Sequence, residues 1–192
     1  HDPFLPLAVA AEHTRTLRLG TAVAIAFARN PMNLANLAWG VQAISEGRFR
    51  LGLGTQVRPH IESRFSMPWS HPAARMREFV LAMQAIWDSW DQGTKLNFRG
   101  DFYEHTLMTP FFNPGANEYG APRVFLAAVG ELMTKVAGEV CDGMLCHGFT
   151  TESYLREVTT RALNEGFDAG GRTRADIQLS LDVARVIFRR PD

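Results

Sequence analysis

Two segments of this chain, residues 17–27 and 49–55, alternate large with small side chains, and one amphipathic stretch separates them. In the first, Leu17, Leu19, Thr21, Val23, Ile25 and Phe27 alternate with Arg18, Gly20, Ala22, Ala24 and Ala26. In the second, Phe49, Leu51, Leu53 and Thr55 alternate with Arg50, Gly52, Gly54 and Gln56. Successive side chains of a strand point to opposite faces. One face therefore carries bulk for helices to cover, and the other is nearly bare. Bare positions in a parallel sheet either leave room for a flat ring system or fit a crowded barrel axis.

The rest of the chain keeps the same rhythm. Asp2-Pro3 reads as a helix start, a capping carboxylate followed by proline, with Leu7, Ala10, Ala11 and Thr14 along one face. Asn30-Pro31 opens a second helix with the stripe Leu34, Leu37, Ala38, Val41 and Ile44, closed by Gly47. Residues 57–67 are polar and read as a loop. Ser70 or His71 before Pro72 starts a long helix whose period is clean: Met76, Phe79, Val80, Met83, Ile86, Trp87 and Trp90. An excursion over 91–122 is rich in turns, with short strands at 96–98 and 102–105 around Arg99-Gly100-Asp101. A strand at 123–129, a helix at about 131–140 and a strand at 144–147 follow. Thr150 or Thr151 caps a last helix carrying Tyr154, Leu155, Val158, Ala162 and Leu163 and ended by Gly166, with Gly170-Gly171 as a loop and a strand at 177–188.

Five strands alternating with helices is the pattern of parallel βα units, an α/β chain that forms either an open doubly wound sheet or a TIM (βα)₈ barrel. Gly52 and Gly54 supply two glycines of a dinucleotide fingerprint, but Val57 stands at the third and no helix start follows. No Walker phosphate loop is present either. A complete barrel has eight strands and about 250 residues. The 192 residues fit one incomplete barrel domain, 1–192, holding about the third to seventh strands. The chain starts without Met and stops just after a strand-like run, which reads as a piece of a longer protein.

Composition narrows the partners. Twenty acidic and twenty basic side chains balance, and no long basic run favours nucleic acid or an anionic membrane surface. No apolar run approaches the roughly 20 residues of a membrane helix, and no secretory signal is visible. Cys141 and Cys146 lack the spacing of a redox or zinc pair and read as reduced, buried thiols of a cytoplasmic protein. No metal site is expected. Open sheet edges and uncovered apolar faces predict self-association, a homo-oligomer.

One series of motifs in this order is specific. Asp2-Pro3, Leu17-Arg18-Leu19-Gly20-Thr21-Ala22-Val23, Arg29-Asn30-Pro31, Ser45-Glu46-Gly47-Arg48 and Leu51-Gly52-Leu53-Gly54 resemble the bacterial luciferase-like monooxygenase family. So do Phe98-Arg99-Gly100-Asp101-Phe102-Tyr103 and Ala137-Gly138-Glu139-Val140-Cys141-Asp142-Gly143, with Cys141 where the family more often has alanine. The resemblance covers nearly the whole chain. It implies a TIM barrel that binds FMN or the deazaflavin coenzyme F420, and residues 55–60 and 125–134 look most like the deazaflavin branch.

The resemblance also implies site residues. In relatives a non-prolyl cis peptide at the end of the third strand backs the flavin ring, and here that position is Ala22-Val23. Gln56 and His60 match polar loop groups near the cofactor after the fourth strand. Ala127, Ala128 and Gly130 after the fifth strand, and His147, Gly148 and Thr150 after the sixth, match turns where backbone N–H groups meet a phosphate. Glu131 opposes an anion locally. Each of these has a plain alternative: strand residues, a solvated loop histidine, ordinary helix caps.

Two departures matter. Some deazaflavin dehydrogenases carry a glutamate just after the fourth strand; Val57 stands here, and Glu62 is the nearest acid. A histidine and a tryptophan after the second strand serve several relatives, and that strand is outside this chain. No catalytic residue is therefore assigned. The first expectation is an oxidoreductase moving a hydride, or activating oxygen, with a flavin-type cofactor on a small organic substrate. The alternatives are a flavin-binding barrel without turnover, and an unrelated phosphate-binding barrel enzyme using polar groups such as His147, Asp182 and Arg185.

Overall fold

A computed structural model of the chain describes residues 2–180. Helix α1 (Phe4–His13) begins where Asp2 Oδ1 accepts the backbone N–H of Phe4 at 2.9 Å. Two short strands follow, β1 (Leu19–Gly20) and β2 (Ala24–Ile25), then a 3₁₀ turn over Ala26–Ala28. Helix α2 (Pro31–Ile44) is capped by the Asn30 side chain. Strand β3 (Phe49–Gly54) leads through a π-helical turn at His60–Arg64 to the long helix α3 (Pro72–Gln92). Strands β4 (Phe98–Arg99) and β5 (Glu104–His105) form an antiparallel hairpin. Strand β6 (Arg123–Ala128), helix α4 (Glu131–Val140), strand β7 (Gly143–Cys146), the short helix α5 (Glu152–Tyr154), a π-helical turn at Leu155–Thr159, helix α6 (Thr160–Gly170) and strand β8 (Gln178–Ser180) complete the order.

The sheet is parallel throughout. Strands β1 and β2 both lie on β3, followed by β6, β7 and β8. Helices α1, α2, α3, α4 and α6 pack on one another in the same order. This is a curled half-barrel of βα units, as the alternation predicts. The core lies between sheet and helices: Phe49, Leu51, Leu53, Val124, Leu126 and Met144 meet Met76, Phe79, Val80, Met83 and Ile86, all at most 1% exposed. Among the described residues, no helix is long and apolar enough to cross a membrane.

The expected continuous strand at 17–27 is broken, and the break has a geometric cause. Gly20 pairs with Arg50 and Ala24 with Leu53. Four steps along the edge strand therefore match three along β3, so one extra residue bulges out. The Ala22–Val23 peptide within the bulge is cis, as the resemblance implies. The extra residue inverts the alternation. Leu19 and Thr21 are buried before it and Ala24 and Ala26 after it, whereas Val23 and Ile25 are only half-buried.

The same bulge settles the bare face. A side chain on Gly52 would meet the Thr21 carbonyl and the Leu145 side chain, and one on Gly54 would meet Val23 Cγ2 at 2.6 Å. The Thr21 hydroxyl donates to the Gly52 carbonyl at 2.6 Å. The small residues of β3 thus make room for the neighbouring strand, not for a ring inserted between strands.

Other expectations shift in detail. Gly166 does not end the last helix. It sits inside α6, where a side chain would strike the Lys135 carbonyl of α4. Helix α6 continues through Gly170 and is closed by Gly171 at φ +62°. The stretch 57–67 is not a plain loop, because Ile61 is buried and the Arg58–Glu62 pair, 2.9 Å, lies along a π-helical turn. The hairpin strands start two residues later than expected. Of the last expected strand, only Gln178–Ser180 is described; Asp182 and Arg185 lie outside the described residues.

Two glycine variants separate close approach from simple helix propensity. Gly52→Ala is expected to destabilise the fold by about 3 kcal/mol, because carbonyl and methyl cannot share the space. Gly40→Ala, exposed on α2 with open space around the new methyl, is expected to stabilise it by about 0.5–1 kcal/mol. Denaturant titration of both variants measures the contrast; equal effects would contradict the fit of the bulge into β3.

Candidate functional site

In a parallel sheet every strand ends on the same edge, and the following βα loops gather there. The edge formed by the ends of β2, β3, β6 and β7 therefore carries Ile25, Gly54, Ala128 and Cys146, each followed by a turn. The sequence-derived candidates fall at or just below this edge, but in separate openings.

The turns after β6 and β7 converge. Val129, His147, Phe149, Thr150, Thr151 and Tyr154 line one cavity of about 310 Å³. The Tyr154 hydroxyl donates to the Val129 carbonyl at 3.0 Å and so ties the two turns together. Gly130 is the N-cap of α4 and gives it no side-chain cap, which leaves the first-turn N–H groups of a ten-residue helix pointing outward. A side chain on Gly130 would meet nothing within 4 Å, so the backbone there is open to approach. Glu131 is drawn aside: its carboxylate accepts from Arg161 at 2.9 Å.

After β7, Phe149 N–H donates to His147 Nδ1 at 3.2 Å. A neutral imidazole that accepts at Nδ1 carries its proton on Nε2, and so presents an N–H donor. Thr151, not Thr150, caps the following helix, accepting from Tyr154 N–H at 3.2 Å. Thr150 lines the cavity, and among the described residues its hydroxyl makes no hydrogen bond. This corner combines backbone N–H groups, an imidazole N–H and a hydroxyl, a donor set suited to an oxyanion.

Ala127 and Ala128 do not act alike. Alternation along β6 puts Ala127 on the inner face with Phe125, whereas Ala128 is 4% exposed and buried against the helices. Only its backbone is available to the edge. Gly148 is exposed between His147 and Phe149.

Gln56 and His60 sit apart from that corner, exposed on the turn after β3. Gln56 takes a left-handed backbone, φ +63°, and its side-chain oxygen accepts from Val57 N–H at 3.1 Å. Ala22 lines a second cavity of about 290 Å³ on the inner face, with Gly20, Gly52, Phe125 and Leu145. Its floor is basic, with Arg18 and Arg50; burial and the nearby Arg123 and Arg18 guanidiniums push Arg50 below its ordinary value. Val23 lines a third, of about 470 Å³, with Ile25, Arg29, Arg64 and the N-terminal end of α1. There Arg29 pairs with Asp2 at 2.6 Å and holds the Asp2 carboxyl below the usual carboxylate range. The sequence reading missed Val129 and Tyr154, because a carbonyl-to-hydroxyl tie between two βα turns leaves no spacing signature.

Comparisons with known proteins agree with the fold. A family model described as luciferase-like monooxygenase matches residues 1–192. An uncharacterized protein of Mycobacterium tuberculosis is 58% identical over 183 residues, 95% of this chain and 54% of that protein. A protein named F420-dependent glucose-6-phosphate dehydrogenase from Mycolicibacterium fortuitum is 30% identical over 190 residues, again 95% of this chain and 54% of its own. The chain spans about half the length of the curated relatives it matches. Among solved structures, an F420-dependent secondary alcohol dehydrogenase in complex with an F420-acetone adduct superposes with TM-score 0.76 at 17% identity, over 92% of this chain and 52% of that one. A riboflavin lyase with modified FMN and riboflavin superposes with TM-score 0.77 at 18% identity, over 93% and 43%. Both are likenesses of fold.

Cys146, the last residue of β7, reports on the integrity of this edge. It is 4% exposed and Cys141 is fully buried, and burial pushes both thiols above their ordinary range. Neither is expected to react with a disulfide reagent at pH 8 in the native protein, with both titrating after unfolding. Rapid native reaction of one thiol would show that the end of β7 opens.

Proposed function

The chain belongs to the luciferase-like monooxygenase family, and from that premise we propose that its edge of βα turns holds a flavin-type cofactor for an oxidoreductase reaction on a small organic substrate. Coenzyme F420 is the preferred cofactor and FMN the alternative. The observation that carries this is the convergence of the turns after β6 and β7 on one cavity, with an uncapped α4 beside it. Gly130, His147, Gly148 and Thr150 would receive the cofactor's phosphate, and the Ala22–Val23 bulge would support its ring. Gln56 and His60 would close the side above β3. When bound, the cofactor supplies the two-electron chemistry. This chain's residues bind, orient and shield it.

A reading without turnover has its own support. Val57, where some family dehydrogenases carry an acid, is an exposed hydrocarbon, and the Glu62 carboxylate is engaged by Arg58. Cofactor binding with no conversion across a panel of alcohols, aldehydes and imines would favour it.

Gly130→Ala tests the cofactor reading sharply. The added methyl has open space and an ordinary φ of −77°, so the fold should tolerate it. Wild-type full-length protein is expected to bind F420 or FMN at micromolar levels in a fluorescence titration. The variant is expected to bind about tenfold more weakly, roughly 1.4 kcal/mol, with its melting temperature unchanged. Absence of binding to either cofactor, or equal affinity of the two proteins, would overturn the reading.

A further inference from the structure

Arg75 is buried, 6% exposed, in the first turn of α3, and among the described residues it makes no ion pair. Both facts run against ordinary expectation. A buried guanidinium usually faces a carboxylate, and a cation at a helix N-terminus opposes the helix dipole. Something else must hold it.

Its partners come from three separate segments. Nε donates to the Tyr103 hydroxyl at 2.8 Å, and Nη1 donates to the Pro68 carbonyl at 2.7 Å. The guanidinium carbon lies 4.5 Å from the centre of the Phe27 ring and 5.7 Å from that of Tyr103. A planar cation resting on the Phe27 ring, with the Tyr103 hydroxyl edge beside it, is a favourable arrangement, stronger where water is excluded. Phe27 is fully buried in the turn that follows β2, and its ring meets Trp69 edge-on at 5.6 Å. Pro68 and Trp69 end the segment that begins at Gln56 and His60 after β3. Tyr103 closes the turn between β4 and β5, and its ring packs edge-on against Phe79 at 5.4 Å.

Glu78, one helical turn further along α3, fixes the same hairpin from its backbone. Its carboxylate accepts the N–H groups of Asp101 at 2.9 Å and Phe102 at 2.7 Å, and that of Tyr103 as well. Gly100 leaves the space the carboxylate fills. Tyr103 is therefore held independently of Arg75, and the hairpin is a fixed wall for the guanidinium.

We propose that Arg75 is a positioning residue: it sets the segment bearing Gln56 and His60 against the strand bearing the Ala22–Val23 bulge, using the pinned hairpin as its anchor. The fork of donors matters as much as the charge. Lysine would bring a cation but neither two fixed donor directions nor a stacking plane. The effect of this positioning on cofactor affinity rests on the proposed function; the positioning itself does not.

Limited trypsin digestion of the full-length protein reads the segment directly, because Arg64, followed by Phe65, lies within it on the exposed surface; Arg58 precedes Pro59, a bond that trypsin does not cut. Cleavage after Arg64 is expected to accelerate about tenfold in Arg75→Gln and Arg75→Lys, and about threefold in Tyr103→Phe, which removes only the hydroxyl. Cleavage after the exposed Arg18 and Arg123 is expected to stay at the wild-type rate. Unchanged cleavage at Arg64, or equal acceleration at all three sites, would overturn the proposal, the second result marking a merely structural role. If Arg75→Gln does not fold, the Lys and Tyr103→Phe variants decide by the same criterion. In parallel, F420 and FMN titrations are expected to show at least about fivefold weaker binding in Arg75→Lys. Wild-type protein that binds neither cofactor removes the proposed function and leaves the digestion result to stand or fall alone.

Discussion

Strand β3 carries glycine at the two places where the bulged edge strand reaches across it, and the architecture of the half-barrel follows from that fit. The Thr21 carbonyl and Val23 Cγ2 occupy the space that side chains on Gly52 and Gly54 would need. The Thr21 hydroxyl closes the contact on the Gly52 carbonyl. An extra residue on an edge strand ordinarily disrupts its ladder. Here the ladder resumes on β3 at Ala24, with the alternation inverted. Inversion delivers Ala24 and Ala26 to the helices and turns Val23 and Ile25 toward a cavity at the candidate edge. A single insertion therefore both completes the core and shapes one wall of a cavity at the candidate edge.

The second organising constraint is the common direction of the strands. Because all are parallel, the turns after β6 and β7 share one edge with the bulge and with Gln56 and His60. Donor groups accumulate there without any residue being buried for the purpose. Backbone N–H groups at an uncapped helix start, an imidazole N–H and a free hydroxyl cost little to expose, and an anion can collect them. Helix α3 serves the same edge from outside. Its apolar stripe builds the core, while Arg75 and Glu78 on its first turns add polar ties to the segment after β3 and to the β4–β5 hairpin.

Much of this was legible in the sequence. The stripe from Met76 to Trp90 has a helical period, and every member is buried. The alternation of strands and helices gave parallel βα units, and the family motifs chose the barrel order and placed the cis peptide at Ala22–Val23. What escaped depends on contacts between distant segments. Gly166 reads as a helix stop in one dimension, yet in three it is the point where α6 lies against the backbone of α4. Glu78 occupies a polar position of an amphipathic helix and reads as a solvated charge; only the hairpin, more than 20 residues away, supplies its partners. The bareness of Gly52 and Gly54 was visible, but its reason belongs to the neighbouring strand. The candidate site residues stand between these cases: their motif was legible, while Tyr154, which ties two of their turns together, was not.

A crystal structure of the full-length polypeptide soaked with the deazaflavin or FMN tests the account most directly. The account predicts density for the ring against the Ala22–Val23 peptide and for the phosphate among Gly130, His147, Gly148 and Thr150. A cofactor bound at the opposite, N-terminal edge of the strands beside Arg18 and Arg50, or a bound ring with no contact to the bulge, would contradict it.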